Sequence, residues 1–150
     1  MKSLIAIIAR VGLVAALAAP AAADPEFFPL PGREAGELPF SEAVRAGDLL
    51  FLSGMIGLKP GTLELVEGGI GPETRATMEA IRDAVQRHGS SMDRVVKCTV
   101  FLADMAEWPA MNQVYLEFFG ENRPARSALG ANGLALDARV EIECIALIGD

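Results

Sequence analysis

The 150-residue sequence is acidic and apolar, with a formal net charge of −7 at pH 7, 51% hydrophobic residues, two cysteines and one histidine. An acidic surface repels nucleic-acid phosphates, and the basic residues form no clustered stripe, so a nucleic-acid partner is not expected. One histidine and two distant cysteines are too few for a zinc site or a disulfide scaffold, so we expect no catalytic metal.

Residues 1–23 have the pattern of a secretory signal peptide. Lys2 gives a positive start, Leu4 to Ala19 are almost wholly apolar, and Ala21 to Ala23 resemble a signal-peptidase site. Cleavage after this segment would remove Lys2 and Arg10 and no acidic residue, which changes the net charge from −7 to −9. We therefore expect a periplasmic or secreted protein. The alternative is a membrane-anchored protein whose signal is not cleaved.

The segment 24–38 is predicted to be an arm. It is rich in proline and glycine, which resist both a helix and a central strand. The residues concerned are Pro25, Pro29, Pro31, Gly32 and Gly36. The rest of the chain, residues 39–150, is long enough for one domain and too short for two.

The first part of this domain is predicted to be extended. Glu42–Arg45 and Leu49–Met55 flank the turn residues Ala46–Asp48, which indicates a hairpin. A second turn at Lys59–Thr62 returns the chain to a third extended segment at Leu63–Val66.

The second part alternates helices and strands. Apolar residues recur at helical spacing from Pro72 to His88, with Gly89 just after, and again from Pro109 to Gly120. Strands are predicted over Arg94–Leu102, around Ala128 and over Ala138–Ile148. The resulting order, ββ(β)αβαββ, predicts an α+β fold with two helices packed on one face of a sheet.

Arg126, in the segment Pro124–Ser127, is the main candidate functional residue. A guanidinium stays charged and needs a carboxylate, either from its own protein or from a ligand. Strand alternation places Glu141 and Glu143 on one face of the last strand. From the residues alone, an ion pair between Arg126 and Glu141 at a subunit interface and a ligand site both remain open.

Other polar residues have simpler interpretations. Ser53 and Gly54 end an apolar strand and would let a ligand approach the backbone, although Ser53 could merely bond to its neighbour. His88, at a helix C-terminus, is expected to make only a favourable dipole contact. Cys98 and Cys144 lie on strands that are candidates for neighbours, so a disulfide in an oxidising compartment and two buried free thiols both remain open. The free thiols are favoured because the geometry of a disulfide is demanding.

Six segments, in order, resemble the RidA/YjgF family, the reactive-intermediate imine deaminases that are also called L-PSP endoribonuclease-like. The resemblance covers about residues 39–148 and implies a chorismate-mutase-like α+β fold, a mixed sheet with two helices on one face, assembled as a homotrimer with clefts between subunits. The segments are Pro39–Val44, Phe51–Ile56, Val95–Leu102, Met111–Tyr115, Pro124–Ser127 and Val140–Glu143.

The resemblance also implies an activity. Arg126 would hold the carboxylate of a 2-imino or 2-enamino acid, while Glu141 would orient the water that attacks the imine carbon. Ser53 and Gly54 would line the pocket, and Asn112 would lie near it. The expected products are a 2-oxo acid and ammonia, and no cofactor is required.

The sequence departs from the family pattern at three pocket positions. Phe40 stands where the family often has tyrosine, Met55 where it has glutamine, and Ala128 where cysteine is common. These changes leave an alternative, in which the protein is a non-catalytic small-carboxylate binder or a holdase-like stress protein of the same fold.

Overall fold

The structure is a computed structural model that describes residues 24–149, so the predicted signal peptide lies outside it. Seven strands form one mixed sheet, and two α-helices cover one of its faces, which confirms the predicted fold class. The elements are β1 (Glu26–Phe28), β2 (Ala43–Ala46), β3 (Leu49–Leu52), β4 (Met55–Ile56), α1 (Ile70–Arg87), β5 (Val95–Leu102), α2 (Trp108–Leu116), β6 (Ala125–Gly130) and β7 (Val140–Leu147).

The last strand, β7, lies in the middle of the sheet. The strand order is β1-β2-β3-β7-β5-β6, and β4 also pairs with β7. All neighbouring strands are antiparallel except β5 and β6, which are parallel and are connected through α2. This crossover places α2 beside β6, the edge strand that contains Arg126.

Helix α1 packs its apolar stripe onto the sheet. Met78, Ile81, Ala84 and Val85 are fully buried, as the helical spacing predicted. The helix ends at Arg87, Gly89 follows with φ of +79°, and the amide of Ser90 donates to the carbonyl of Val85 at 2.7 Å. Burial of each large apolar side chain contributes about 1.5–3 kcal/mol.

The alternation predicted for β7 is confirmed. Val140, Ile142, Cys144 and Ala146 are buried beneath the helices, whereas the intervening residues point to the other face. No described helix or strand covers that second face, which we call the open face. It exposes large apolar side chains, including Phe51 (39% exposed), Leu129 (43%) and Leu147 (37%).

Two segments differ from the prediction. Leu63–Val66 forms no strand and makes only an isolated bridge, Leu65 to Leu58, because none of its side chains is buried and Leu63 is 70% exposed. The predicted arm contains β1, which pairs with β2 at the sheet edge. An edge is the place where a strand tolerates prolines on both sides, here Pro25 and Pro29.

The expectation of two free thiols is wrong, because Cys98 and Cys144 form a disulfide. The two residues are direct partners in the antiparallel register of β5 and β7, with their Cα atoms 4.1 Å apart. This register brings both side chains together on the same face, and sequence spacing does not reveal the register.

His88 does more than the predicted contact with the helix dipole. Its Nε2 lies 2.8 Å from Oε2 of the buried Glu42, and its ring stacks on Phe28 with centroids 4.3 Å apart. Arg87 donates to both oxygens of the same carboxylate, at 2.7 and 2.9 Å. The end of α1 therefore contacts both the arm and the first hairpin.

Between residues 24 and 149, no helix has the length and apolar character needed to cross a membrane. The same part of the chain contains no group of three or more side chains suited to binding a metal ion.

Candidate active site

Arg126 is held by aromatic rings. It lies on β6 opposite Cys98, so its side chain points to the face that the helices cover. The guanidinium carbon lies 4.6 Å from the ring centroid of Tyr115 and 5.6 Å from that of Trp108, both on α2. No carboxylate among the described residues lies within ion-pair distance of this half-buried side chain. Its N–H donors are therefore free to bind a ligand.

Two buried oxygen atoms on α2 have no hydrogen-bond partner among residues 24–149. They are Oδ1 of Asn112 and the hydroxyl oxygen of Tyr115, which lie three residues apart on one helix face. Buried polar atoms of proteins normally have a partner. This surface of α2 can therefore accept or donate a hydrogen bond.

The phenol of Tyr115 is neutral at physiological pH. Burial raises its pKa to about 12, because the charged phenolate is disfavoured away from water, and the nearby Arg126 only partly offsets this effect. The positive charge of Arg126 therefore lies over the ring of a neutral phenol.

Glu141 lies on the open face, next to Gly54. A Cβ atom at Gly54 would clash with Oε1 of Glu141, so the carboxylate occupies the space that a side chain there would need. Pairing of β4 with β7, with Ile56 opposite Glu141, produces this contact. Burial, together with the like charge of Glu143, raises the pKa of Glu141. A raised pKa makes this carboxylate a stronger base.

Ser53 makes the local bonds of a strand-end serine. Its hydroxyl donates to the carbonyl of Ser41 at 2.6 Å, and its amide donates to the carbonyl of Glu42 at 3.0 Å. Phe40, next to Ser41, is 52% exposed and lines a cavity of about 280 Å³ formed by the arm. Ser53 therefore links the Gly54 segment to the chain around Phe40.

The candidate residues form two groups on opposite faces of the sheet. Arg126 is in register with Cys98 and Cys144, which point toward the helices. Glu141 is in register with Phe101 and Leu129, which point toward the open face. Arg126 and Glu141 therefore do not meet within one chain, and an ion pair between them at a subunit interface stays a prediction.

Sequence reasoning missed the contacts of Trp108 and Tyr115 with Arg126. Tyr115 belongs to a helical stripe that predicts burial, and it is buried, but periodicity does not reveal which strand the stripe contacts. The seven-residue spacing of Trp108 and Tyr115 places both rings on one helix face. This spacing is the feature of the sequence that could have indicated a shared contact.

Known proteins resemble this chain along most of its length. The family described as Endoribonuclease L-PSP matches residues 33–148. A RutC family protein of Pyrococcus horikoshii is 44% identical over 108 residues, which are 72% of this chain and 86% of that protein. The 2-iminobutanoate/2-iminopropanoate deaminase of Dermatophagoides farinae is 40% identical over 73% of this chain and 86% of its own length.

Solved structures share the fold. The yeast protein YEO7 has a TM-score of 0.77 and 32% identity, covering 84% of this chain and all of its own. Escherichia coli TdcF, crystallised with bound serine, has a TM-score of 0.70 and 32% identity, covering 74% of this chain and 89% of its own.

Proposed function

This chain belongs to the endoribonuclease L-PSP family, the RidA/YjgF family that its motifs resemble, and from that premise we propose that it hydrolyses 2-imino or 2-enamino acids to 2-oxo acids and ammonia. The observation that carries the proposal is the free guanidinium of Arg126, which has no carboxylate partner among the described residues. The name of the Dermatophagoides farinae relative, an imine deaminase, supports this reaction. The serine bound to TdcF supports a small ligand that contains a carboxylate.

The reaction needs one group that orients the substrate and one that handles protons. Arg126 donates two parallel hydrogen bonds to the substrate carboxylate, which fixes both its position and its orientation. Glu141 accepts a proton from water as the water oxygen bonds to the imine carbon. This proton passes to the imine nitrogen, which gives a carbinolamine. Glu141 then transfers the hydroxyl proton of the carbinolamine to its amino group, so that the C–N bond breaks as the C=O bond forms, and ammonia and a 2-oxo acid are released. The raised pKa of Glu141 suits this exchange of protons.

We propose that the site forms between subunits of a homotrimer. Arg126 and Glu141 lie on opposite faces of one sheet, so a substrate can contact both only when they come from different chains. The exposed apolar residues of the open face support this assembly, because a large apolar surface favours association. In the proposed site, the α2 and β6 side of one subunit meets the Glu141 and Gly54 side of its neighbour.

An exported location is also proposed. The signal-like pattern of residues 1–23 motivates it, and the Cys98–Cys144 disulfide supports it because disulfides persist in oxidising compartments. The mature N-terminus of protein isolated from the envelope of its host tests this location. A terminus at Asp24 agrees with export and cleavage, whereas an intact Met1 in the cytoplasmic fraction contradicts it.

A second candidate is a non-catalytic binder of small carboxylates. Phe40 favours it, because an exposed phenylalanine lacks the hydroxyl that tyrosine would present to a ligand. The ribonuclease activity in the family's description is less suited to a chain of net charge −7, which repels a phosphate backbone.

The direct test is release of ammonia and 2-oxo acid from 2-iminopropanoate that an amino-acid oxidase generates in the assay, measured above the uncatalysed rate. We expect Arg126→Ala to lower kcat/KM by at least about 100-fold, because it removes two charge-assisted hydrogen bonds. Arg82→Ala is the matched control, since Arg82 also lies over a ring, that of Phe118, at 6.0 Å. Equal rates for wild type and Arg126→Ala would contradict the proposal. Pyruvate binding without turnover would favour the binder.

A further inference from the structure

Trp108 and Tyr115 form what we call the aromatic cradle of Arg126. They begin and nearly end helix α2, seven residues apart, so both point to the same side of the helix. The guanidinium carbon of Arg126 lies within 6 Å of both ring centroids, which is the range of a cation–π contact. Both rings of the cradle therefore come from helix α2, and the arginine that they contact comes from strand β6.

Most other arginines in the described part of the chain use a different kind of partner. Arg75, Arg87 and Arg139 each pair with glutamate side chains. A carboxylate holds an arginine by occupying its N–H donors, whereas an aromatic ring attracts the charge and leaves the donors free. The cradle therefore restrains the guanidinium and keeps its hydrogen-bonding capacity for a ligand.

The hydroxyl of Tyr115 contributes little to this restraint. It has no hydrogen-bond partner among the described residues, so its removal leaves no protein group unpaired. The ring contacts Arg126, with its centroid 4.6 Å from the guanidinium carbon. Tyr115→Phe and Tyr115→Leu consequently separate the contribution of the ring from that of side-chain bulk.

We propose that Trp108 and Tyr115 are positioning residues that hold Arg126 in the orientation needed to bind the substrate carboxylate, and that they thereby set substrate affinity. This inference rests on the proposed function, because it assumes that Arg126 binds a carboxylate. It assigns the two rings a role that does not require contact with the reacting atoms.

The test is the dissociation constant of pyruvate, measured by calorimetry, together with kcat and KM for 2-iminopropanoate. We expect Tyr115→Leu and Trp108→Leu each to weaken pyruvate binding and raise KM by about tenfold, because a cation–π contact is lost. We expect kcat to change less than KM. Tyr115→Phe keeps the ring, so it should bind pyruvate more tightly than Tyr115→Leu.

Phe118→Leu is the matched control. It removes the ring that faces Arg82, outside the proposed site, and should leave both constants unchanged. Trp108 is only half-buried, so Trp108→Leu provides a variant that keeps the core intact if Tyr115→Leu folds poorly. The proposed positioning role would be contradicted if both leucine variants bound pyruvate as tightly as wild type. It would also be contradicted if Tyr115→Phe bound pyruvate as weakly as Tyr115→Leu.

Fluorescence gives a second, local readout. Trp108 is the only tryptophan of the sequence, so saturable changes in its emission on addition of pyruvate report binding beside Arg126. Arg126→Ala should abolish the saturable change. A wild type that binds pyruvate without hydrolysing the imine would refute the proposed function. It would leave the role of the aromatic cradle to be decided by the pyruvate affinities of the Tyr115 and Trp108 variants. A wild type that binds no pyruvate would refute both.

Discussion

At the scale of single residues, the candidate site is distinguished by two charged side chains, Arg126 and Glu141, that have no partner of opposite charge within the described chain. Arg126 lies over aromatic rings and has no described carboxylate partner, while Glu141 lies near a like charge and is partly buried. Arg126 can therefore still bind an anion, and Glu141 accepts a proton more readily than an ordinary glutamate does. In the proposed reaction, the carboxylate of the 2-imino acid would pair with Arg126, and the attacking water would give its proton to Glu141.

The repulsion between Glu141 and Glu143 predicts a pH effect. In the proposed mechanism the carboxylate form of Glu141 is the base, so kcat/KM should fall as the pH decreases through its raised pKa. Glu143→Gln removes the like charge and lowers that pKa, so the acid limb of the profile should move to lower pH. The plateau at higher pH should be unchanged.

The control is Glu79→Gln, which changes the net charge equally but lies on the exposed face of α1. Its profile should match that of wild type. A Glu143→Gln profile that does not move, or that moves to higher pH, would show that Glu141 is not the titrating base.

The sequence indicated Arg126 and Glu141 because their residue types and the surrounding motifs are informative. It did not indicate the cradle, because Tyr115 in a helical stripe predicts burial whatever it contacts. Ser53 has the local hydrogen bond to Ser41 that the simpler interpretation predicted. Its role in ligand binding stays a prediction.

At the scale of elements, β5 and β7 are the centre of the fold. They pair over most of their length, and the Cys98–Cys144 disulfide joins them on the helix-covered face. The same strand β5 supports β6 and therefore Arg126. Cross-linking at this point stabilises the part of the sheet that carries the site.

Loss of the disulfide should lower stability. The cysteines are 46 residues apart, and closing a loop of this length in the unfolded chain corresponds to about 4 kcal/mol. We expect Cys98→Ala/Cys144→Ala to lose stability of this order in urea denaturation. Reduced wild type separates the bond from side-chain packing, because it keeps both sulfur atoms. Identical urea midpoints for oxidised and reduced wild type would contradict this prediction.

The major elements could be predicted, because apolar spacing and turn residues are local signals. Helix α1 and strand β7 lie close to the predicted positions, and α2 ends earlier than expected. Strand β1 and the disulfide were missed, because each depends on register with a segment distant in sequence. Leu63–Val66 failed as a strand because β-propensity without a buried face is insufficient.

At the scale of the whole molecule, the candidate site residues of one chain lie on two opposite faces of the sheet. Motifs spread over residues 39–148 identified the family, since six short segments in order are far more specific than any one. Those motifs do not show on which face each side chain lies. Only the registers of β5, β6 and β7 reveal that Arg126 and Glu141 point in opposite directions.

The central claim, that each site takes Arg126 from one chain and Glu141 from another, is tested most directly by complementation. Arg126→Ala and Glu141→Gln are each expected to be inactive alone. Co-refolded in equal amounts, they should regain about one quarter of wild-type imine hydrolysis, because random assembly of cyclic trimers joins an intact arginine to an intact glutamate in that fraction of sites. A mixture that stays as inactive as the separate variants, while mass measurements show mixed oligomers, would contradict the account.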